Sequence, residues 1–171
     1  MSRPPVRIGI IGSGRANPRW DEWAATVGRG IARARAVLIC GGLSGVMASA
    51  ARSAKASGGL TIGILPGTHA EDANPGIAVP IPTGLGEGRN LLVVQASDAL
   101  IAIGGGAGTL SEIGFALKLH KPIVLLGSWQ VTPPPGGDPL PVPPYVVETP
   151  QEAVRLALQL ARGNRFGGRM G

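Results

Sequence analysis

The residue types best suited to chemistry cluster at one junction, where a short apolar run meets a group of glycines. Residues 99–103 are typical of a buried strand, residues 104–108 are mostly glycine, and a helical pattern begins at Thr109. A strand, a turn and a helix in this order present unpaired backbone N–H groups and the positive end of a helix dipole to an anion. Glycines permit the close approach because they carry no Cβ. The junction therefore predicts a phosphate site.

Two charged residues flank this junction. Glu112 is expected in the first turn of the helix, where its carboxylate would repel a phosphate unless it capped the helix or served another part of a ligand. Arg89 begins an otherwise apolar helix, although the helix dipole disfavours a cation there. A ligand or a carboxylate would offset that cost, so both residues are candidates for a site. The alternatives are a solvated arginine on a helix surface and an ordinary carboxylate near a helix N-terminus.

The elements that must position these residues alternate between strand and helix. Apolar runs predict strands at 6–11, 37–40, 60–65, 99–103 and 123–126, with short strands at 77–81 and 145–147. Helical patterns cover 20–35, 46–57, 88–96, 109–119 and 150–162, and residues 163–171 are expected to form a frayed tail. This order is typical of one α/β domain over residues 1–171, a Rossmann-like, doubly wound parallel sheet with helices on both faces.

Three of the predicted strands end in glycine clusters. Ligands of such sheets bind off the carboxyl ends of the strands, so all three clusters should face one crevice. The candidate binding residues are Gly12, Ser13, Gly14, Gly41, Gly42, Gly45, Gly105, Gly106, Gly108 and Thr109. None of the clusters matches a nucleotide fingerprint, because residues 108–109 lack the lysine of a P-loop and Asn17 stands where a dinucleotide motif needs a third glycine. We therefore do not expect ATP or NAD.

Composition and charge exclude several other classes of function. The formal net charge is +6, but the bases are spaced along helices without interleaved aromatic residues, so no nucleic-acid partner is expected. No segment resembles a membrane span or the apolar region of a signal peptide, and Cys40 has no partner for an internal disulfide, which together predict a cytoplasmic protein. Cys40 is expected in the core. His69 and His120 have no ligands at metal spacing, so no metal site and no required cofactor are expected.

Several segments together resemble the signature of the LONELY GUY family, which was long labelled as lysine decarboxylases. Arg89–Asn90, Ser97–Ala99 and Gly105–Glu112 resemble the family's Arg-Lys, Ser-Asp-Ala and Gly-Gly-x-Gly-Thr-x-x-Glu at matching spacing. Gly41–Met47 is similar to a further family motif, Gly-Gly-x-x-Gly-Leu-Met. The likeness covers residues 8–126. The proline-rich segment 131–144 belongs to none of these motifs.

Two departures make the chain more similar to a sister branch, the molybdenum-cofactor carrier proteins. Gly104 stands in place of the proline that precedes the double glycine, and Asn90 stands in place of lysine. The carrier resemblance implies a protein that holds a phosphorylated heterocycle, such as the molybdenum cofactor, without chemistry. The LONELY GUY resemblance implies a phosphoribohydrolase that releases free base and ribose 5-phosphate from a nucleoside 5′-monophosphate. We favour the carrier and keep the hydrolase as the alternative.

Both resemblances imply the same crevice. Gly105, Gly106, Gly108 and Thr109 would hold the phosphate, and in the hydrolase Arg89 and Glu112 would be the catalytic pair acting around the ribose. A carboxylate suits that step, because it can activate water or stabilise an oxocarbenium-like transition state. Either branch implies a homodimer or a homotetramer and a small phosphorylated ligand.

Overall fold

Parallel β-strands form the centre of the computed structural model, which describes residues 4–167, with the side chains of 165–167 outside the description. Within that range the sheet has seven strands. They are β1 (Arg7–Gly12), β2 (Val37–Cys40), β3 (Thr61–Leu65), β4 (Val79–Pro82), β5 (Ala99–Ile103), β6 (Ile123–Leu126) and β7 (Tyr145–Val147). The helices are α1 (Pro18–Arg33), α2 (Val46–Ala56), α3 (Arg89–Ala96), α4 (Ala107–Lys118) and α5 (Pro150–Gly167).

The strand order is β4-β3-β2-β1-β5-β6-β7, and every pair is parallel. The order reverses between β1 and β5, whose pairing aligns Gly12 with Ile103. This is the Rossmann-like, doubly wound fold that the sequence predicts, and the crevice at such a reversal is where ligands bind. The four residues of β2, the five of β5 and the four of β6 are all buried, as expected for strands covered on both faces.

Helices cover both faces of the sheet, and each face has its own core. On one face α1, α2 and α5 pack against residues such as Ile8, Ile10 and Leu38. On the other face α3 and α4 pack against Ile11 and Leu100. Alternate residues of β1 therefore serve opposite cores.

Side-chain hydrogen bonds accompany two differences from the predicted helix ends. Helix α1 begins at Pro18, two residues early, because the side-chain oxygen of Asn17 accepts hydrogen bonds from the N–H groups of Arg19 and Trp20. Helix α5 continues past the predicted end at residue 162 to Gly167, and Asn164 donates a hydrogen bond to the backbone carbonyl of Asp98 (3.3 Å). Residues 163–167 are therefore helical, and the rest of the predicted frayed tail, 168–171, lies outside the described residues.

Strand β4 forms one edge of the sheet and carries a proline at every second position, Pro80 and Pro82. It begins two residues later than the predicted short strand at 77–81. Since proline has no N–H, the pairing of β4 with β3 must use the donors of the residues between the prolines. No helix in the described part of the chain is long and apolar enough to cross a membrane.

Candidate functional site

The turn between β5 and α4 contains two glycines whose backbone conformations other residues rarely adopt. Gly104 and Gly105 have φ values of +57° and +121°. A Cβ on Gly104 would overlap the ring of Trp20, and one on Gly105 would meet the side chain of Thr109. Position 104 therefore excludes proline, whose φ is fixed near −65°. The glycine that departs from the LONELY GUY pattern is a requirement of this backbone.

The next residues open toward solvent. Gly106 is the N-cap of α4 and has no side chain to cap the helix, so the N–H groups of the first turn are left for water or a ligand. Additional Cβ atoms at Gly106 or Gly108 would meet nothing within 4 Å. The start of α4 therefore combines free donors, the positive end of a helix dipole and open space.

This turn forms one wall of a cleft of about 490 Å³, which we call the glycine cleft. It is lined by Gly12, Ser13, Gly14, Arg15, Gly105, Gly106, Gly108 and Thr109. The two walls come from the ends of β1 and β5, which are neighbours at the strand-order reversal. Arg15 supplies a positive side chain that the sequence analysis did not select, although it directly follows the first glycine cluster.

The glycines after β2 support the cleft from behind. A Cβ on Gly45, whose φ is +65°, would collide with the carbonyl of Ser13. The same carbonyl accepts a hydrogen bond from Val46 N (3.0 Å), and Ser44 Oγ donates to the carbonyl of Gly14 (2.7 Å). The turn after β2 thus fixes the turn after β1 by close backbone approach.

Gly41 and Gly42 also face protein atoms. Gly42 (φ +76°) packs against the side chain of Leu65, and a Cβ on Gly41 would lie 2.7 Å from the guanidinium of Arg89. The structure therefore gathers the predicted residues of the first and third clusters in one cleft, and places Gly41, Gly42 and Gly45 in the layer that shapes it. Whether any of them binds a ligand stays a prediction.

Arg89 lies over the end of β2, and only 7% of its surface is exposed. It donates a hydrogen bond to Asn90 Oδ1, and its Nε has no hydrogen-bond partner in the described structure. A buried guanidinium donor without a partner is costly, so this atom is available to a ligand or to water. No salt bridge joins Arg89 to a carboxylate within the described residues, where Arg7 and Asp98 form the ion pair, at 2.8 Å.

Glu112 lies close enough to Arg89 for electrostatic interaction and is 6% exposed. Burial raises the pKa of its carboxyl group to about 8, Glu87 adds to the increase, and Arg89 opposes it. The group is therefore mostly protonated at neutral pH. A neutral carboxyl group near the start of α4 does not repel a phosphate as an ionised one would.

One detail of the sequence analysis was wrong at this site. Helix α4 begins at Ala107, two residues early, so Glu112 lies in the second turn and not in the first. The sequence analysis also did not select Trp129, whose Nε1 donates a hydrogen bond to the carbonyl of Gly106 (3.1 Å). The prediction of a buried Cys40 is confirmed.

The sequence of this chain is similar to those of several known proteins. Residues 5–141 match the family model described as the SLOG cluster4 family. The chain is 40% identical over 159 residues to an uncharacterized protein of Archaeoglobus fulgidus, covering 90% of this chain and 95% of that one. It is 34% identical over 117 residues to the cytokinin riboside 5′-monophosphate phosphoribohydrolase of Mycobacterium tuberculosis, covering 63% of each chain. The match thus spans less than two thirds of that enzyme.

Structural similarity extends over almost the whole chain. The molybdenum cofactor binding protein of Rippkaea orientalis superposes with a TM-score of 0.82 at 34% identity, covering 93% of this chain and 99% of the other. The molybdenum cofactor carrier protein of Chlamydomonas reinhardtii gives a TM-score of 0.80 at 33% identity with the same coverage.

Proposed function

We propose that this chain, which belongs to the SLOG cluster4 family within the LONELY GUY-like superfamily, binds a small phosphorylated heterocycle in the glycine cleft and carries it without chemistry. The molybdenum cofactor is the ligand that its structural relatives suggest. In this proposal the cofactor is cargo. Its phosphate would lie against the N–H groups at the start of α4.

The observation that carries the proposal is the open start of α4 opposite Arg15. The first-turn N–H groups have no capping side chain, and Gly106 and Gly108 leave the approach clear. Arg15 adds a cation to the same cleft. Donors, dipole and cation all favour an anion, and the raised pKa of Glu112 lowers the negative charge of a carboxyl group that would oppose it.

Two observations favour a carrier over a hydrolase. The proteins described as binding or carrying the molybdenum cofactor superpose on 93% of this chain and over 99% of their own, whereas the phosphoribohydrolase matches in sequence over 63% of its length. The left-handed backbone of Gly104 also rules out the proline of the LONELY GUY pattern.

Hydrolysis of a nucleoside 5′-monophosphate is the second candidate, and the pair Arg89 and Glu112 favours it. A buried carboxyl group with a pKa of about 8 can donate a proton to a leaving base at neutral pH, and a buried cation beside it can orient a substrate. A carrier has no need of this pair.

The phosphate site is tested by Gly106→Val with Gly114→Val as the matched control. Both positions are exposed, Gly106 as the N-cap of α4 and Gly114 within the helix, and a Cβ at either would enter open space, but Gly114 lies two turns away from the cleft. We expect Gly106→Val to lose binding of AMP and inorganic phosphate in calorimetric titration, while both variants keep the parent's circular dichroism. Equal phosphate affinity of Gly106→Val and the parent would place the site elsewhere.

The choice between carrier and hydrolase is tested by the ligand and by turnover. Mass spectrometry of the purified protein should detect a copurifying pterin-derived cofactor, and incubation with AMP should release no adenine. Turnover of AMP that falls by roughly 10²- to 10⁴-fold in Glu112→Gln, the effect typical of a general acid, would establish the hydrolase instead.

A further inference from the structure

The end of β6 and the start of the loop that follows it are fastened to the glycine turn by hydrogen bonds. Gly104 N donates to the carbonyl of Leu126 (3.3 Å), and Ser128 Oγ donates to the carbonyl of Gly104 (2.6 Å). One residue later, the indole N–H of Trp129 donates to the carbonyl of Gly106 (3.1 Å). The ring of Trp129 is therefore held against the residue that caps α4.

Trp129 differs from the other tryptophans in what surrounds it. Trp20 and Trp23 pack against the core of the α1 face. Trp129 is 41% exposed, so much of its ring lies in solvent at the carboxyl edge of the sheet. A ring whose N–H is fixed and whose apolar surface is open is prepared to contact a ligand at little further entropic cost.

Gly106 connects this ring to the glycine cleft. Its open Cα faces the space where the phosphate is proposed to lie, and its carbonyl holds the indole. The same carbonyl accepts a hydrogen bond from Leu110 N (3.1 Å), so the ring lies beside the cleft and not in its lining, and a ligand bound at the N–H groups of α4 would contact the ring where it extends past Gly106. Planar heterocycles stack on aromatic side chains, and such stacking tolerates different ring chemistries.

We infer that Trp129 is a binding residue of the site and that its indole stacks on the planar heterocycle of the phosphorylated ligand. This inference rests on the proposed function, because it needs the phosphate at α4. The glycine cleft alone would bind any phosphate group. Stacking on Trp129 would make the protein select a heterocycle phosphate over a plain sugar phosphate. The segment 131–144, which no motif explains, begins two residues after Trp129.

The test compares AMP with ribose 5-phosphate, which keeps the phosphate and lacks the ring. Dissociation constants for both are measured by calorimetry for the parent, Trp129→Ala, Trp129→Phe and the control Leu60→Ala. Leu60 is 46% exposed and precedes β3, so it lies at the amino ends of the strands, whereas Trp129 lies at their carboxyl ends. Removal of a stacking ring should weaken AMP binding by roughly 5- to 100-fold, the effect of alanine at stacked bases. Ribose 5-phosphate affinity should stay within about twofold of the parent's.

Each outcome either supports or overturns the inference that Trp129 stacks on the ligand. Trp129→Phe should retain most AMP affinity, since it keeps an aromatic face, and Leu60→Ala should match the parent. If Trp129→Ala weakens both ligands equally, Trp129 only positions the glycine turn and the stacking inference is overturned. Unchanged AMP affinity in Trp129→Ala overturns it as well, while the proposed function stands. If the parent binds neither AMP, ribose 5-phosphate nor inorganic phosphate, the proposed function itself fails.

Discussion

Replacing Glu112 with glutamine should make the protein more stable at alkaline pH. The carboxyl group has an ordinary pKa of 4.5 and a folded-state pKa of about 8. Below pH 4.5 it is protonated in both states and has no effect. Between 4.5 and 8 the unfolded chain releases the proton while the folded chain keeps it, so the free energy of unfolding falls as pH rises. Above pH 8 the stability associated with this group is fully lost.

The size of the effect follows from the shift. At 1.36 kcal/mol per pH unit, an increase from 4.5 to about 8 costs the parent at most about 5 kcal/mol at pH 9. Glutamine has nearly the same shape and no charge. The unfolding free energy of Glu112→Gln relative to the parent should therefore rise by several kcal/mol, at most about 5, between pH 5 and pH 9.

The assay is urea unfolding followed by circular dichroism in phosphate-free buffers at pH 5, 7 and 9. Because parent and variant share every other titrating group, their difference isolates residue 112. The control Glu148→Gln changes an exposed carboxylate, and its difference from the parent should stay within about 0.5 kcal/mol at each pH. A Glu112→Gln difference that does not change with pH would refute the reasoning, and with it the claim that a neutral carboxyl group lies beside the phosphate site.

Three further predictions concern the elements around the site. Gly104→Ala should lower the unfolding free energy by about 2–4 kcal/mol in urea titrations, because φ is +57° and the added methyl group has no room, whereas Gly106→Ala should cost less than about 1 kcal/mol. Burial raises the pKa of the Cys40 thiol to about 11, so a colorimetric thiol reagent at pH 8 should react with the folded protein far more slowly than with the protein in denaturing urea. Asp98→Asn should cost about 1–3 kcal/mol in thermal or urea unfolding, since Asp98 accepts hydrogen bonds from both the backbone N–H and the guanidinium of Arg7.

The sheet could be predicted from the sequence because its central strands are uninterrupted apolar runs between glycine turns. A strand such as β5, with every residue buried, needs that pattern, and the helices predicted before and after it indicate crossover connections, which join parallel neighbours. The ends of helices were less predictable. Gly106 has an extended backbone and caps α4 without a side chain, so residues 107 and 108 join the helix although their sequence gives no capping signal.

The candidate site was predictable where it follows from strand ends and not where it depends on register. Trp129 lies 23 positions from Gly106 in the chain, and it reaches the turn because β6 pairs with β5 so that Leu126 is opposite Ile103. The available signal was the position of Gly127 immediately after β6, which puts the next residues at the same sheet edge as the glycine turn. The unpartnered Nε of Arg89 depends on side-chain packing, which no sequence pattern specifies.

The prolines of β4 bear on how the protein resists aggregation. An edge strand ordinarily offers a row of backbone N–H groups on which a second chain can add a strand. In β4 the donors of the residues beside Pro80 and Pro82 are taken by β3, and the proline nitrogens on the outer side have none to offer. A polypeptide arriving at this edge therefore finds acceptors but no matching donors, and cannot continue the ladder. Replacing both prolines would expose a complete hydrogen-bonding edge beside the exposed side chains of Val79 and Ile81, which is the composition of an aggregation-prone strand.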